Sequence, residues 1–514
     1  MILILLVAIP LVAGLAAWIL GRWSRLASLL AAVLPLAGAL VALFAGLTPL
    51  PAVGPMGSFF ADVKLPWIPQ LGVTFHLAMD GLSFILCALT FSMGIIALVA
   101  SWKRIERDVG FFHFCILWVL AGILGVFLAV DLFLFFLFWE LMLVPMYFVI
   151  STWGHERRSQ AALKFFIFTG ASGLLMLLSI VALAVSHFRA TGVISFDLPD
   201  LAALSLPLRT ATLAMLGFAA AFAVKLPVVP LHTWLPDAHT EAPEAGSVIL
   251  AALLLKTGAY GFIRFVAYLF PGPVEAYSLV FMTVGVVGVV YGALLSFAQD
   301  DFKRVVAYSS ISHMGFVLLG IFSRNEQGFL GALLLIVSHS VSSGALFIVA
   351  GYLNHRLGTR DIRSMGGLVS VLPLLSGAGI IFTLGAIGLP GLGIFAGEIL
   401  CLIGAARVSI PLTIAGAVGI VLAALYGMRL LGKVFYGASQ ETRKLRDLDF
   451  QEGATMVLLF LAFLWTGVYP QPLFRAVRGS VISPAHGIEG TAAPALIAGI
   501  VSSGGATEAQ RDGR

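Results

Sequence analysis

Six ionisable side chains stand inside apolar stretches of this 514-residue chain: Glu140, Lys225, Lys256, His313, His339 and Glu398. Glu140 lies in DLFLFFLFWELMLVPMYFVI, His313 in SSISHMGF and His339 in LIVSHSVSSG. Lys225 and Lys256 share the segment Ala220–Ile263, AAFAVKLPVVPLHTWLPDAHTEAPEAGSVILAALLLKTGAYGFI, with a proline-rich break between them. A cation at mid-membrane costs about 2.5–3.5 kcal/mol on insertion scales. Snorkelling relieves a lysine near a helix end, but Lys256 is central in its stretch, thirteen residues after Pro243. Ionisable groups held at such depth serve ion pathways, proton relays or buried pairs. A histidine, with an unperturbed pKa near 6.5, suits a relay, and His339 has Ser338, Ser340, Ser342 and Ser343 beside it. The competing structural reading is a static ion pair for each acid and lysine, and a hydrogen-bonded core residue for each histidine.

The elements that must position these groups follow from composition. The chain is 60% hydrophobic and 11% charged, against about 25% charged in soluble proteins, and its mean hydropathy is +1.04. Apolar stretches of about 20 residues recur from end to end, which predicts an all-α polytopic membrane protein and excludes a soluble enzyme. About fourteen spans are expected, near 1–20, 26–47, 80–100, 111–129, 131–150, 161–187, 209–235, 244–269, 275–297, 303–322, 328–354, 368–406, 412–436 and 453–470. Thr48–Met79, rich in proline and glycine, is expected as a loop, and Ser502–Arg514 as a disordered tail.

Two spans are interrupted, five apart. The seventh breaks at Pro227 and Pro230, which frees the carbonyls of Ala223 and Leu226, and the twelfth breaks at GLPGLG, Gly388–Gly393. Open backbone at membrane depth is tolerated only where protein or a wet cavity satisfies it, and paired broken helices point to a transporter built from inverted repeats. The expected organisation is an N-terminal three-helix segment (1–110), two five-helix repeats (111–270 and 271–436), a last helix (437–474) and a polar tail (475–514). Pro145 loosens the fifth span one turn beyond Glu140. Glu398 follows Pro390 by about two helical turns.

The net charge of +5 sits in short loops and reads as a topology signal, not a nucleic-acid footprint. About fifteen basic residues, Arg22, Lys103, Arg104, Lys303, Arg304, Arg356 and Arg443 among them, mark one side as cytoplasmic. About six, including Lys64, Arg189 and Arg264, fall to the other, where both termini are expected. The run Met1–Leu20 lacks a basic n-region and cleavage site and reads as an uncleaved first helix. Cys87, Cys115 and Cys401 are isolated in apolar runs, and no P-loop or G-x-G-x-x-G occurs, which argues against a nucleotide, haem or iron–sulfur site. His232, Asp237 and His239 lack zincin spacing, so no metal site is expected. Thr240, Pro243 and Glu244 read as the capped start of the eighth helix, and His155–Glu156 as a solvated face.

Three stretches carry a resemblance. FAVKLPVVPLHTWLPDAHTEAPEAGSVILAALLLKTGAYGFIRF, DDFKRVVAYSSISHMGFVLLGI and GLPGLGIFAGEI resemble the proton-pumping membrane subunits of respiratory complex I, which are similar to the large subunits of Mrp-type cation/proton antiporters. The likeness covers essentially Met1–Phe474 and its motifs are long and specific. The acid Glu398 stands where sister antiporter-like subunits usually carry lysine. The resemblance implies a non-redox subunit of a proton-translocating NADH:quinone oxidoreductase in an energy-coupling membrane, the bacterial inner membrane. Its partners would be the other membrane-arm subunits, sister antiporter-like subunits included. NADH, FMN, iron–sulfur clusters and quinone would belong to partner subunits.

Position by position, the resemblance makes Glu140 the acid that pairs with Lys225, Lys256 the central relay lysine, His339 the connecting residue and Glu398 the terminal site, with His313 secondary. The implied relay is Lys225–Lys256–His339–Glu398, switched by Glu140. Moving one proton against 100 mV costs about 2.3 kcal/mol, and burial disfavours the charged form of any amine, so separating a buried pair is sufficient to drive a step. The alternatives are an Mrp-type antiporter, a membrane subunit of a hydrogenase- or formate-linked complex, and a structural spacer whose charges only hold helices together.

Overall fold

The computed structural model describes residues 1–47, 59–438, 441 and 444–481. Among these are thirteen helices long and apolar enough to cross a membrane, plus two shorter apolar helices in tandem. The long helices are α1 (Ile2–Leu20), α2 (Arg25–Leu47), α3 (Gly81–Ser101), α4 (Val109–Leu128), α5 (Leu132–Trp153), α6 (Arg158–Thr191), α7 (Leu208–Lys225), α8 (Glu244–Leu269), α9 (Pro271–Phe297), α10 (Phe302–Phe322) and α11 (Glu326–Leu357), then α13 (Ile410–Phe435) and α14 (Phe450–Val468). The tandem pair, Pro373–Ala386 and Gly393–Ala406, forms the two halves of α12. Helices dominate because a helix satisfies its own backbone where lipid offers no partner.

Burial divides the helices. The membrane-spanning stretches of α8 and α11 are wholly buried and that of α10 nearly so. α2, α13 and α14 lie at the periphery and show Leu, Val and Ile outward, as with Val41, Val421 and Leu461. The helices bearing Lys256, His313 and His339 are therefore the central ones.

Two expectations are corrected. Part of the stretch read as a loop is a β-hairpin, β1 (Ala61–Ile68) paired antiparallel with β2 (Val73–Met79), and Gly72 turns it at φ 70°. Pro66 inside β1 hid the strand. The proline is tolerated because a two-stranded sheet has only edge strands. Residues 48–58 lie outside the described residues, as does Ser502–Arg514. Beyond Pro470 the chain does not turn at once into a tail but forms a further helix, Gln471–Val481. Its backbone rests on the start of α3, where a Cβ on Gly81 would fall 1.6 Å from the Ala476 carbonyl oxygen.

The same backbone latch occurs twice. Leu132 N–H donates to Phe196 O and Leu198 N–H to Val130 O, bridging Asp131 and Asp197. Phe302 N–H donates to Arg360 O and Ile362 N–H to Asp300 O, bridging Asp301 and Asp361. Asp131, Asp301 and Asp361 also cap the segments that follow them. One latch lies at the hairpin end of the helices, beside β2. The other lies at the opposite end, where Arg104 and Arg356 pair with Glu452.

Candidate functional site

The breaks are built differently from each other. α7 ends at Lys225, and helix resumes only at Trp234–Glu241. The Ala223 carbonyl, expected to be open, accepts from Val228 N–H at 2.8 Å, and the Trp234 indole N–H donates to Val224 O at 2.9 Å. Protein therefore closes part of what proline opens. In α12 the break turns on Gly388 (φ 85°) and Gly391 (φ 93°), a backbone that L side chains rarely adopt. α14 presses against it, since a Cβ on Gly467 would fall 2.2 Å from Gly391 O.

α8 is not a regular helix. Two widened, π-type turns, Leu250–Leu254 and Phe262–Val266, flank Lys256. The first frees carbonyls for side chains: Lys256 Nζ donates to Ala251 O at 2.7 Å, and Ser340 Oγ donates to Ala252 O at 2.7 Å. Such bulges appear most often at functional sites.

From Lys256 a row of contacts runs through the core. Lys256 Nζ lies 2.7 Å from His339 Nδ1. The His339 and His313 rings meet edge to face with centroids 5.4 Å apart. His313 Nδ1 lies 3.1 Å from Glu398 Oε1. Lys256 is wholly buried and the other three are at most 2% exposed. Glu398 reaches back toward the break, its Oε2 facing Gly388. Atoms without a protein hydrogen-bond partner cluster along this row: His339 Nε2, His313 Nε2, Ser342 Oγ and Glu398 Oε2. A buried polar group left so is costly unless water serves it.

Glu140 and Lys225 stand at the other end. Glu140 Oε1 points at Gly173, which has no side chain to obstruct it. Lys225 Nζ has no hydrogen-bond partner and lies 5.3 Å and 5.4 Å from the ring centres of Trp139 and Phe165. The pair expected between them is not in ion-pair contact, although each feels the other's charge. The lysine is instead held over aromatic faces, a cation–π arrangement. Its Cβ packs where Gly258 of α8 leaves room, half a turn from Lys256.

The residues set aside in the sequence go elsewhere. His232 meets the rings of Tyr291 and Tyr308, Asp237 pairs with Lys164 at 2.7 Å, and His239 stacks on Phe347 with centroids 4.3 Å apart. Thr240 does not cap α8: its hydroxyl donates to Pro236 O, and the N-cap is Pro243 without a side-chain bond. Two cations counted with the loops are buried. Lys303 Nζ donates to Ala242 O, and Arg264 lies inside α8, paired with Asp80 at 2.5 Å. Hydropathy alone concealed both, because an arginine near a span end is normally read as snorkelling.

Outside the spans, the hairpin is clamped. His76 Nδ1 lies 2.7 Å from Asp197 Oδ1 and its Nε2 lies 3.1 Å from Asp62 Oδ2, while Lys64 also pairs with Asp197. Burial works against the imidazolium, but the hydrogen bonds to Asp197 and Asp62 prevail and hold His76 above its ordinary pKa.

Residues 129–423 match the family described as NADH:quinone oxidoreductase/Mrp antiporter, TM. The NADH-quinone oxidoreductase subunit M of Pseudomonas aeruginosa is 46% identical over 503 residues, covering 95% of this chain and 97% of that protein. The subunit M of Escherichia coli is 42% identical, covering 94% of this chain and 97% of its own length. A chain in the structure of respiratory complex I from Thermus thermophilus with bound NADH superposes with a TM-score of 0.84 at 31% identity, covering 94% of this chain and 98% of that one. A family match that includes both interrupted helices, with relatives that cover 94–95% of the chain, leaves one assignment: the chain belongs to the NADH:quinone oxidoreductase/Mrp antiporter transmembrane family.

Proposed function

We propose that this chain is the proton-translocating, antiporter-like subunit M of an NADH:quinone oxidoreductase, moving protons along the middle of the membrane. The observation that carries it is the row from Lys256 through His339 and His313 to Glu398 in the buried centre, hydrogen-bonded at both ends and joined by a ring contact in the middle. Each member can hold or release a proton, and each touches the next.

The bonding suggests the steps. An ammonium at Lys256 donates to His339 Nδ1, so the proton passes to the ring and leaves from Nε2. Since the two Nε2 atoms share no hydrogen bond, a water between the rings carries it to His313 Nε2, and His313 gives its Nδ1 proton to Glu398. The partnerless Nε2 atoms of both rings support this path. Glu140 and Lys225 form the switch: with the carboxylate ionised nearby the lysine keeps its charge, and when the carboxylate is lost burial favours handing the proton on toward Lys256. The matched latches at Asp131/Asp197 and Asp301/Asp361, at opposite ends of the helices, support reading α4–α8 and α9–α13 as inverted repeats.

The electrons move on partner subunits, where NADH, FMN, iron–sulfur clusters and quinone are held. Cys87, Cys115 and Cys401 are buried and unpaired on three different helices, ill suited to hold a cluster. Loop charge supports reading the hairpin face as the positive side of a bacterial inner membrane, with both termini on it. Lys256→Ala tests the relay against the spacer reading: in the assembled complex, loss of NADH-driven proton pumping supports it, and unchanged pumping stoichiometry refutes it. An Mrp-type antiporter is the second reading, favoured by the shared family and opposed by the acid at Glu398. Sodium-dependent transport without NADH-linked activity would select it.

A further inference from the structure

The direct way from Lys256 to the hairpin face runs along α8. Tyr260 and Arg264 follow Lys256 along α8 toward the hairpin face, each about 6 Å further along the axis. That route ends at a buried ion pair. Arg264 Nη2 holds Asp80 Oδ2 at 2.5 Å, with the two side chains 3% and 1% exposed. Arg264 Nε donates to the Tyr260 hydroxyl at 3.2 Å, and the guanidinium lies between the rings of Tyr260 and Phe59, 5.4 Å and 5.7 Å from their centres.

We infer that Arg264, fixed by Asp80 and Tyr260, is a plug that closes direct proton release from Lys256 to the hairpin face and so commits the proton to His339. Every group in the cluster is bonded so that it cannot conduct. A guanidinium stays protonated in proteins, so Arg264 releases nothing and its fixed charge repels an approaching proton. Such a charge bars protons in other membrane pores. Asp80 has both oxygens engaged: Oδ1 accepts from Ser83 N–H at 2.9 Å and Oδ2 accepts from Arg264. The Tyr260 hydroxyl donates to Phe127 O at 3.1 Å, a carbonyl that cannot pass a proton on, and accepts from the guanidinium at 3.2 Å, with the Ser83 hydroxyl beside it. Ser83 Oγ shares the same carbonyl. The cluster is roofed by the helix Gln471–Val481 through Gly81.

This inference rests on the relay reading, and the test separates the two. Sealed membrane vesicles carrying the assembled complex are given a pH step without NADH, and the passive collapse of the gradient is followed with a pH-sensitive dye. Arg264→Lys keeps the cation and the partner but supplies a group able to release its proton, so the gradient collapses faster than in the parent. Arg264→Gln, which removes the cation, does the same. Tyr260→Phe removes the hydroxyl and its hydrogen bonds but adds no carrier, and its gradient decays at the parental rate. Adding Lys256→Met to Arg264→Lys restores the slow decay, because the leak runs through Lys256. Parental decay in Arg264→Lys, or a leak that survives Lys256→Met or appears equally in Tyr260→Phe, overturns the plug. Intact NADH-driven pumping in Lys256→Met alone would instead overturn the relay.

Discussion

His313 of α10 bonds Glu398 of the second interrupted helix at 3.1 Å, and so stands between that acid and His339. The shortest chain of contacts therefore has four members after the switch, not three. Removing His313 should be as harmful as removing His339. His313→Ala and His339→Ala are each expected to lower proton pumping by about tenfold or more, a barrier increase of roughly 1.4 kcal/mol. Dye quenching in vesicles measures this, and a His313 variant that pumps at the parental rate would mean that His339 reaches Glu398 without it.

Glu140 has one oxygen without a protein partner and lies near, but not on, Lys225. Glu140→Gln keeps the shape and removes the charge. Assembly should survive while NADH oxidation and pumping both fall. Unimpaired pumping would end the switch role.

Glu398 joins the row to the α12 break through its two oxygens, one on His313 and one facing Gly388. Glu398→Ala is expected to abolish transport beyond His313. Glu398→Lys restores a group that can bind a proton, and retention of pumping in that variant would show that acid and base serve equally there. Loss in both variants would tie function to the carboxylate itself.

The His76 clamp makes the hairpin sensitive to pH. His76 binds its proton more tightly folded than unfolded, so its contribution is fully present below its ordinary pKa of 6.5 and is lost as pH rises through the higher folded value. Asp197, held low by His76 and Lys64 against the opposing effect of burial, contributes above its ordinary 3.8 and fails as pH falls through its lower folded value. Hydrogen exchange over Ala61–Met79, corrected for the intrinsic rate, should show greatest protection in mildly acid buffer and decline on the alkaline side. His76→Asn should flatten that decline. A profile unchanged by the substitution would remove the clamp.

α14 and the α12 break touch backbone to backbone at Gly467 and Gly391. Gly467→Val overpacks that contact, at a cost of about 1–3 kcal/mol. A lower thermal unfolding temperature of the detergent-solubilised complex is expected, with Gly453→Ala, which faces open space, as the neutral control.

The sequence by itself determined that this is a polytopic helical chain, where its spans lie, which two are interrupted, and six of the ionisable side chains that stand in apolar surroundings. Those properties are local: hydropathy over some twenty residues marks a span, and proline or a glycine- and proline-rich run such as GLPGLG breaks a helix wherever it falls. Pro66 misled for the same local reason, since only the partner strand shows that β1 is paired. What the tertiary structure decided is which of these groups touch. Lys256 and His339 are 83 residues apart in sequence and 2.7 Å apart in space, and the carbonyl that also holds Lys256 is freed by a widened turn that no residue type announces. Arg264 looked like a loop cation until packing buried it against Asp80, 184 residues away. Contact between distant helices depends on their rotation and crossing, and hydropathy carries no information about either. The members of the proposed relay were thus legible as residues but not as a path.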